Sequence, residues 1–365
     1  MTVARHRKVL DNIASYMPAK SLQQIEKELG LDKIIRLAAN ENTMGCSPSV
    51  KVAIQENFKN IFLYPDGFCM ELRGELSKLY NIEENKLIFG NGSFELLSLV
   101  AQAFINPGEE SIISEPSFGW YKVVTLSMDG SIVSIPLTNH AVDLEEVKRN
   151  ITNKTKVIWL CNPNNPTGTF FESEQLQKFL DEIPSRIVVV LDEAYYEFVT
   201  SDKYPNSVDL IEKYSNIIIL RTFSKVYGLA SLRIGYGIAN PEFIDFINKI
   251  RLPINVNATA QIAALASLKD IDFKDSVIKN NILGKEFYYK SFRELNLEYI
   301  PTEANFIMVN VEKDSVIVVD EILKRGISLR SGLEFGMPTW IRISIGRPEE
   351  NQLVIKNLKE VLSSL

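Results

Sequence analysis

The fold is indicated by residues 187–195, which read Ile187-Val188-Val189-Val190-Leu191-Asp192-Glu193-Ala194-Tyr195. Five apolar residues predict a buried strand, and charged and aromatic side chains follow it at once. Further short apolar runs, separated by segments of helical period, occur at 86–89, 111–114, 132–135, 157–160 and 217–220. This alternation is typical of β-α units. It predicts an α/β fold in which helices sandwich a mainly parallel sheet.

The pattern of apolar and charged segments changes near residue 252. Beyond it, longer charged helical segments at 269–293 and 353–365 surround strands predicted at 305–310 and 340–345. A chain of 365 residues also exceeds the size at which a single core usually stops growing. We therefore predict a large domain at 39–252 and a smaller α+β domain formed by 1–38 and 253–365.

Composition narrows the classes of partner. A net charge of -6 without long runs of like charge gives no footprint for nucleic acid or an anionic membrane. No run of about 18 apolar residues predicts a membrane span. The basic residues 1–8 lack the apolar stretch of a secretory signal, so we expect a cytoplasmic protein. Cys46, Cys69, Cys161, His6 and His140 are too few and too scattered for a disulfide framework or a zinc site, and we expect no metal. The cysteines are expected to be buried.

Most of the chemistry follows the predicted strands. In an open parallel sheet, ligands bind beyond the carboxyl ends of the strands. Four polar segments lie there, at 90–93, 161–168, 192–195 and 221–225. Each has a simpler explanation when taken alone, because Asn-Pro and Thr-Gly are turn signals and an aspartate or serine can cap a helix. Their shared position at one edge of the sheet favours a site.

Together these segments offer what a pyridoxal phosphate site requires. Lys225 supplies an amine for the cofactor aldehyde, and Asp192 supplies a carboxylate that keeps the pyridine nitrogen protonated. Asn165 and Tyr195 can donate hydrogen bonds to the phenolic oxygen of the ring. An anion cradle for the cofactor phosphate is expected from Gly92, Ser93, Thr222, Ser224 and Arg233.

Several of these blocks resemble the signature of fold-type I aminotransferases. The matching blocks are 165–168, 192–195, 222–225 and 233–235. Within that group the chain is similar to the histidinol-phosphate aminotransferase branch. Further matching blocks lie at 37–42, 63–67, 304–306 and 341–343. The resemblance implies pyridoxal 5'-phosphate as cofactor, glutamate as amino donor, a small phosphorylated substrate and a homodimer.

The resemblance also implies roles for single residues. Tyr64 would reach the cofactor phosphate in the partner subunit, and Phe118 would stack on the cofactor ring. Arg342 would bind the substrate α-carboxylate, with Asn305 helping to place it. Arg330 would contact the substrate phosphate.

The strand pattern supports the role of Arg342 independently. Ile341 and Ile343 would point to one face of a strand and Arg342 to the other. A planar guanidinium matches a carboxylate through two hydrogen bonds. Asn42 is a further candidate for substrate binding.

Some positions depart from the branch pattern, and they concern the substrate more than the cofactor. Phe94 stands where an acidic residue is usual, Thr43 stands where proline is common, and Phe68 lies near a block that lines the site. The identity of the phosphorylated substrate therefore stays open.

Two other functions also stay open. The first is a pyridoxal phosphate-dependent decarboxylase of phosphoserine or phosphothreonine, which would release carbon dioxide without a keto acceptor. The second is a non-catalytic, effector-binding part of a transcription regulator. It would need an attached DNA-binding module, and no basic helix-turn-helix segment precedes residue 30.

Overall fold

A computed structural model describes the chain at residues 5–15 and 21–365. Residues 1–4 of the basic N-terminal segment, and residues 16–20 of the predicted small domain, lie outside the described residues. None of the helices within the described ranges is both long and apolar enough to cross a membrane. All three cysteines are free; Cys69 and Cys161 are buried as expected, but Cys46 is only partly buried.

The strands belong to three sheets. In chain order they are β1 Ile35–Arg36, β2 Leu87–Gly90, β3 Glu110–Glu115, β4 Ser131–Pro136, β5 Thr155–Cys161, β6 Val188–Asp192, β7 Ile217–Thr222, β8 Gly235–Ala239, β9 Tyr299–Ile300, β10 Phe306–Asn310, β11 Ile327–Ser328, β12 Arg330–Ser331 and β13 Trp340–Ser344.

The α-helices cover both faces of the largest sheet and one face of the smaller one. In chain order they are α1 Leu22–Leu29, α2 Pro48–Asn57, α3 Met70–Tyr80, α4 Ser93–Phe104, α5 Trp120–Ser127, α6 Leu144–Arg149, α7 Ser173–Glu182, α8 Ser207–Leu210, α9 Pro241–Asn248, α10 Ala258–Lys269, α11 Ile271–Glu294, α12 Ser315–Leu323 and α13 Pro348–Ser364.

The largest sheet has seven strands in the order β2-β8-β7-β6-β5-β3-β4. Only β8 runs antiparallel to its neighbours β2 and β7, so the sheet is mainly parallel as the sequence predicts. The sequence did not predict β8, because Gly235 and Gly237 interrupt its apolar pattern. A side chain at Gly235 would lie 2.3 Å from the amide nitrogen of Ser93, so this glycine lets the start of α4 approach the sheet.

The core of the sheet is divided between its two faces by the alternation of side chains along each strand. Along β6, Val188 and Val190 pack into one buried cluster with α4 and α9. Val189 and Leu191 point to the opposite face, into the cluster that contains α7 and α10. This double burial explains the continuous apolar runs in the sequence.

The smaller unit contains the antiparallel sheet β12-β13-β10-β9 and the parallel pair β1-β11. Its core is formed by one face of β10 and β13 with apolar residues of α11, α12 and α13. Three alanines of α10, which lies in the predicted small domain, are buried in the core of the large sheet instead. The predicted domain boundary near residue 252 stays a prediction.

Candidate active site

The polar segments that follow the strands meet at a cavity of about 180 Å³ beyond the carboxyl ends of β5, β6 and β7. The residues predicted from the sequence that line it are Ser93, Phe118, Asn165, Asp192, Tyr195, Thr222, Ser224, Lys225 and Arg233. A larger groove of about 580 Å³ lies elsewhere and is mostly apolar, with Tyr64 among its lining residues. We assign the chemistry to the smaller cavity because the titratable and nucleophilic groups converge there.

Asp192 is the last residue of β6 and is buried. Its Oδ2 accepts a hydrogen bond from the hydroxyl of Tyr121 at 2.8 Å, and its Oδ1 accepts one from the amide of Ala194 at 3.3 Å. Burial raises the pKa of Asp192 to about 6, while both hydrogen bonds oppose that rise. The carboxyl is therefore mostly ionised at neutral pH and held in one orientation.

Lys225 follows β7 and carries the amine of the cavity. Its Nζ donates a hydrogen bond to the backbone oxygen of Ala39 at 3.4 Å. Burial lowers the pKa of Lys225 to about 8; the charge of Arg342 lowers it further, and Glu41 opposes this effect. A substantial fraction of neutral, nucleophilic amine is thus present near neutral pH.

The hydroxyl of Tyr195 lies beside two side-chain amides. It accepts hydrogen bonds from Asn165 Nδ2 at 3.2 Å and from Asn40 Nδ2 at 3.1 Å. Burial raises the pKa of Tyr195, so its hydroxyl stays protonated. Because both amides donate to this oxygen, the phenolic proton can point into the cavity.

A candidate anion cradle lies at the start of α4. Gly92 precedes the helix with a φ of 79°, and a side chain there would lie 2.4 Å from Arg233 Nη2. Ser224 lies within hydrogen-bonding distance of Thr222, with 2.9 Å between their side-chain oxygens. Helix N-terminal amides, hydroxyls and a guanidinium together suit a phosphate.

An aromatic wall closes the other side of the cavity. Phe118 meets Tyr121 edge to face at 5.6 Å between ring centroids, and Phe94 meets Phe118 in the same manner at 5.9 Å. Phe94 also packs on Trp120 at 4.5 Å. The wall presents an apolar surface on which a flat ring can stack.

These residues fit pyridoxal phosphate. The close approach of Arg233 to Gly92 leaves no space for a side chain at that glycine, as expected where a backbone must approach a phosphate. The same cavity also contains a partly neutral amine, Lys225, and a largely ionised carboxyl, Asp192. We infer the contacts of individual residues with the cofactor from this geometry.

Two arginines lie next to this cavity on the sheet of the smaller unit. Arg342 is buried on β13, and its Nη1 donates to Asn165 Oδ1 at 2.5 Å. Arg330 of β12 is directly opposite Arg342 in the antiparallel register. Asn305 does not hydrogen-bond to Arg342 within the described residues; its Nδ2 donates to the backbone oxygen of Asn40 at 3.0 Å.

Two further predicted residues, Asn42 and Tyr64, also lie outside the cavity. The Asn42 amide donates to the backbone oxygen of Val226 at 2.9 Å and lines a neighbouring cavity. Tyr64 is 89% exposed and belongs to the large apolar groove. Their roles in substrate and cofactor binding stay predictions.

Sequence reasoning did not single out Tyr121 or Asn40, although both hold site residues in place. Tyr121 follows Phe118 by three residues, a spacing that places side chains on the same side of a helical turn. Asn40 belongs to the matching block 37–42, but nothing local in the sequence indicates that it reaches Tyr195, 155 positions away.

The comparison with known families agrees with this geometry. A family model described as aminotransferase class I and II matches residues 32–358. The chain belongs to this family. The aminotransferase is 47% identical over 356 residues to a histidinol-phosphate aminotransferase of Caldicellulosiruptor saccharolyticus, covering 98% of this chain and 99% of that protein.

Solved structures give the same result. The crystal structure of histidinol-phosphate aminotransferase from Sinorhizobium meliloti in complex with pyridoxal-5'-phosphate matches with a TM-score of 0.91 and 26% identity, covering 100% of this aminotransferase and 99% of that chain. L-threonine-O-3-phosphate decarboxylase from Porphyromonas gingivalis matches with a TM-score of 0.81 and 25% identity, covering 90% and 100%.

These findings confirm the predicted fold, the aminotransferase activity, the pyridoxal phosphate cofactor and the resemblance to the histidinol-phosphate branch. The decarboxylase alternative is less well supported, since the decarboxylase shares 25% identity against 47% for the Caldicellulosiruptor aminotransferase. Full-length similarity to enzymes also argues against the non-catalytic alternative.

Proposed function

We propose that this aminotransferase transfers an amino group between glutamate and the keto counterpart of histidinol phosphate. The observation that carries this proposal is the register of β12 with β13, which sets Arg330 directly opposite Arg342, whose guanidinium contacts Asn165 of the cofactor cavity. Two adjacent cations suit a dianionic phosphate, and Arg342 alone suits a carboxylate. The similarity to proteins named histidinol-phosphate aminotransferase supports the same substrate.

The chain's own residues then have distinct tasks. Pyridoxal phosphate, when bound, supplies an aldehyde that joins to an amine and a protonated ring that accepts the electron pair released at the substrate α-carbon. Lys225 would hold the cofactor through its Nζ, and the same Nζ, once free, would take the proton from the substrate α-carbon. Ionised Asp192 keeps the ring nitrogen protonated.

Other residues orient the reacting groups. The hydroxyl of Tyr195 and the amide of Asn165 hold the phenolic oxygen side of the ring, and Phe118 excludes water from one ring face. Arg342 fixes the acidic end of the substrate, so that the α-carbon lies within reach of Lys225 Nζ. The aromatic contact of Phe94 with Phe118 extends the apolar wall toward the substrate side chain.

The test of the proposed function separates the two half-reactions. Purified protein is loaded with pyridoxal phosphate and mixed with glutamate alone, and the released cofactor is identified by mass. We expect pyridoxamine phosphate and 2-oxoglutarate in equal amounts. Adding the keto counterpart of histidinol phosphate should then regenerate pyridoxal phosphate.

The decarboxylase gives a different outcome in the same assay. Carbon dioxide would be released from phosphoserine or phosphothreonine without any keto acceptor, and glutamate would leave the cofactor as pyridoxal phosphate. That pair of results would contradict the proposed function and support the rival.

We also propose that the protein is a homodimer in which Tyr64 enters the partner's site. Support comes from an unusually apolar surface around Tyr64, where Phe58, Ile61 and Phe62 are more than half exposed. Contiguous apolar surface of this kind is typical of protein interfaces. The cytoplasmic location inferred from the sequence also stays a prediction.

A further inference from the structure

Glu334 is an acidic side chain beside the two arginines that neither the sequence nor the proposed mechanism uses. It lies in a single 3-10 turn, Gly332–Phe335, that follows β12. Its carboxylate forms a two-point ion pair with Arg330, Oε1 with Nε and Oε2 with Nη2. Both side chains are partly exposed, Arg330 at 48% and Glu334 at 38%.

The sheet register places two like charges on neighbouring strands here. Arg330 and Arg342 are directly opposite on neighbouring antiparallel strands, so their side chains start from the same face about 5 Å apart. Like charges in that position repel. Arg342 is buried, and its Nε has no hydrogen-bond partner within the described residues. Glu334 forms an ion pair with Arg330, and its negative charge also acts on Arg342.

The two substrates of the proposed reaction place different charges at this point. The α-carboxylate of glutamate carries one negative charge, whereas a phosphate monoester carries about -1.5 to -2 near neutral pH. Arg342, Arg330 and Glu334 together carry a net charge of one positive unit. That sum matches a carboxylate, and it matches a phosphate dianion only after Glu334 has left Arg330.

We propose that Glu334 is a specificity-determining residue that adjusts the charge of the anion site to the substrate. It stays paired with Arg330 while a carboxylate occupies Arg342, and it gives way when a phosphate bridges Arg330 and Arg342. This inference rests on the proposed function, because it requires one site to accept both glutamate and a phosphorylated amine.

Because the Arg330–Glu334 pair is partly exposed, breaking it costs little free energy. A partly exposed ion pair contributes little, since water and salt screen it. Glu334 can turn into solvent without burying its charge. The incoming phosphate replaces the ion pair between Arg330 and Glu334 with charge-assisted hydrogen bonds to two guanidinium groups. One of these, on Arg342, is already buried.

The experiment compares Glu334→Gln with Glu321→Gln. Glu321 of α12 also pairs with an arginine four residues away, Arg325, and with Lys324, so its substitution removes the same charge from a partly exposed pair that contacts neither Arg330 nor Arg342. Each protein is loaded with pyridoxal phosphate, which fills the cofactor's phosphate cradle. Binding of inorganic phosphate is measured by calorimetry, and the apparent dissociation constant for glutamate by single-turnover spectroscopy.

We expect Glu334→Gln to bind inorganic phosphate about twofold to fivefold more tightly than the wild type, the range set by loss of an exposed ion pair. Glutamate affinity should change less than phosphate affinity, and Glu321→Gln should leave both unchanged. In an Arg330→Ala background, Glu334→Gln should no longer affect phosphate binding, because the two effects act through the same pair.

Equal changes for phosphate and glutamate, no change, or weaker phosphate binding would overturn the inference. So would an undiminished effect of Glu334→Gln in the Arg330→Ala background. These failures are distinct from failure of the proposed function. A wild-type protein that transfers no amino group to or from histidinol phosphate contradicts that function, whatever Glu334 does.

Discussion

Two side chains at the ends of neighbouring strands titrate near neutral pH, shifted in opposite directions by the same cause. Burial raises the pKa of Asp192 to about 6 and lowers that of Lys225 to about 8. Between these values the acid is ionised while part of the amine is neutral. A cofactor ring with an aldehyde and a basic nitrogen requires this pairing of a neutral amine with an ionised acid.

The pKa of Lys225 predicts how cofactor attachment depends on pH. Only the neutral amine attacks an aldehyde, and its fraction rises about tenfold per pH unit below the pKa. The rate of covalent attachment to cofactor-free protein should therefore rise between pH 6 and 8 and level off above. Stopped-flow absorbance measures this rate. Lys225→Ala is the control and should show no covalent band at any pH.

The pKa of Asp192 predicts a gain in stability when its charge is removed. A folded-state pKa above the ordinary 3.8 means that folding disfavours the ionised form, so stability is lost as pH rises from about 4 to about 6. In the cofactor-free protein, Asp192→Asn should be more stable than wild type at pH 7 by about 1–3 kcal/mol. The difference should vanish near pH 4.

Urea denaturation at the two pH values measures this difference. A stability difference that is the same at pH 4 and pH 7 would contradict the raised pKa. The loaded Asp192→Asn protein should lose most of its turnover, because an amide cannot keep the ring nitrogen protonated.

At this scale the sequence singled out the residues to which we assign the chemistry, but not the neighbours that hold them. Asp192 and Lys225 were proposed because each belongs to a polar segment that follows an apolar strand. Tyr121 was not, since its hydrogen bond to Asp192 joins residues 71 positions apart. Glu334 was missed for a different reason. Its partner Arg330 is only four residues away, but the register of β12 with β13 is needed to show that Arg330 lies opposite Arg342.

At the scale of elements, the candidate anion cradle lies at the junction of β2, α4 and β8. The backbone turns sharply at Gly92, where the φ of 79° and the contact with Arg233 both require the absence of a side chain. Gly235 of β8 lies against the first amide of α4 for the same reason.

Gly92→Ala should therefore weaken pyridoxal phosphate binding. The added methyl group displaces Arg233, and loss of one charge-assisted hydrogen bond costs about 1.5–3 kcal/mol, or roughly tenfold to a hundredfold in the dissociation constant. Gly108→Ala is a matched control, because Gly108 has a φ of 83° with nothing within 4 Å. Equal weakening in both variants would show that backbone strain, and not the cradle, is responsible.

The elements themselves were largely predictable. The central parallel strands β5, β6 and β7 are buried on both faces and therefore contain unbroken apolar runs in the sequence. The strand β8 was not predicted, because its glycines are selected by the approach of α4 rather than by strand propensity. Its antiparallel direction follows from its pairing with β7, the strand before it, and with β2, which is distant in the chain.

At the scale of the whole molecule, Tyr64 is separated from the cavity of its own chain. It lies in a groove of about 580 Å³ lined by apolar residues. If Tyr64 completes the partner's site, Lys225→Ala and Tyr64→Ala subunits are each defective alone but complementary when mixed. In a mixed dimer, one site combines an intact Lys225 with an intact Tyr64.

Mixing the two variants under conditions that exchange subunits should restore activity above that of either variant. At equal amounts, about half of the dimers are mixed and each carries one intact site, so about a quarter of wild-type activity is expected. Light scattering gives the mass of each species. No recovery among dimers that have exchanged subunits, or full activity in a monomer, would contradict the shared site.

We propose that Lys225 and the bound cofactor transfer an amino group from glutamate to a phosphorylated keto substrate, which Arg330 and Arg342 bind. The most direct measurement follows isotopically labelled nitrogen from glutamate in the complete reaction with the keto counterpart of histidinol phosphate. The label should appear in histidinol phosphate in equal amount to the 2-oxoglutarate formed, and Lys225→Ala should transfer none. Unlabelled histidinol phosphate, or 2-oxoglutarate that exceeds histidinol phosphate by more than one equivalent per bound cofactor, would contradict the account.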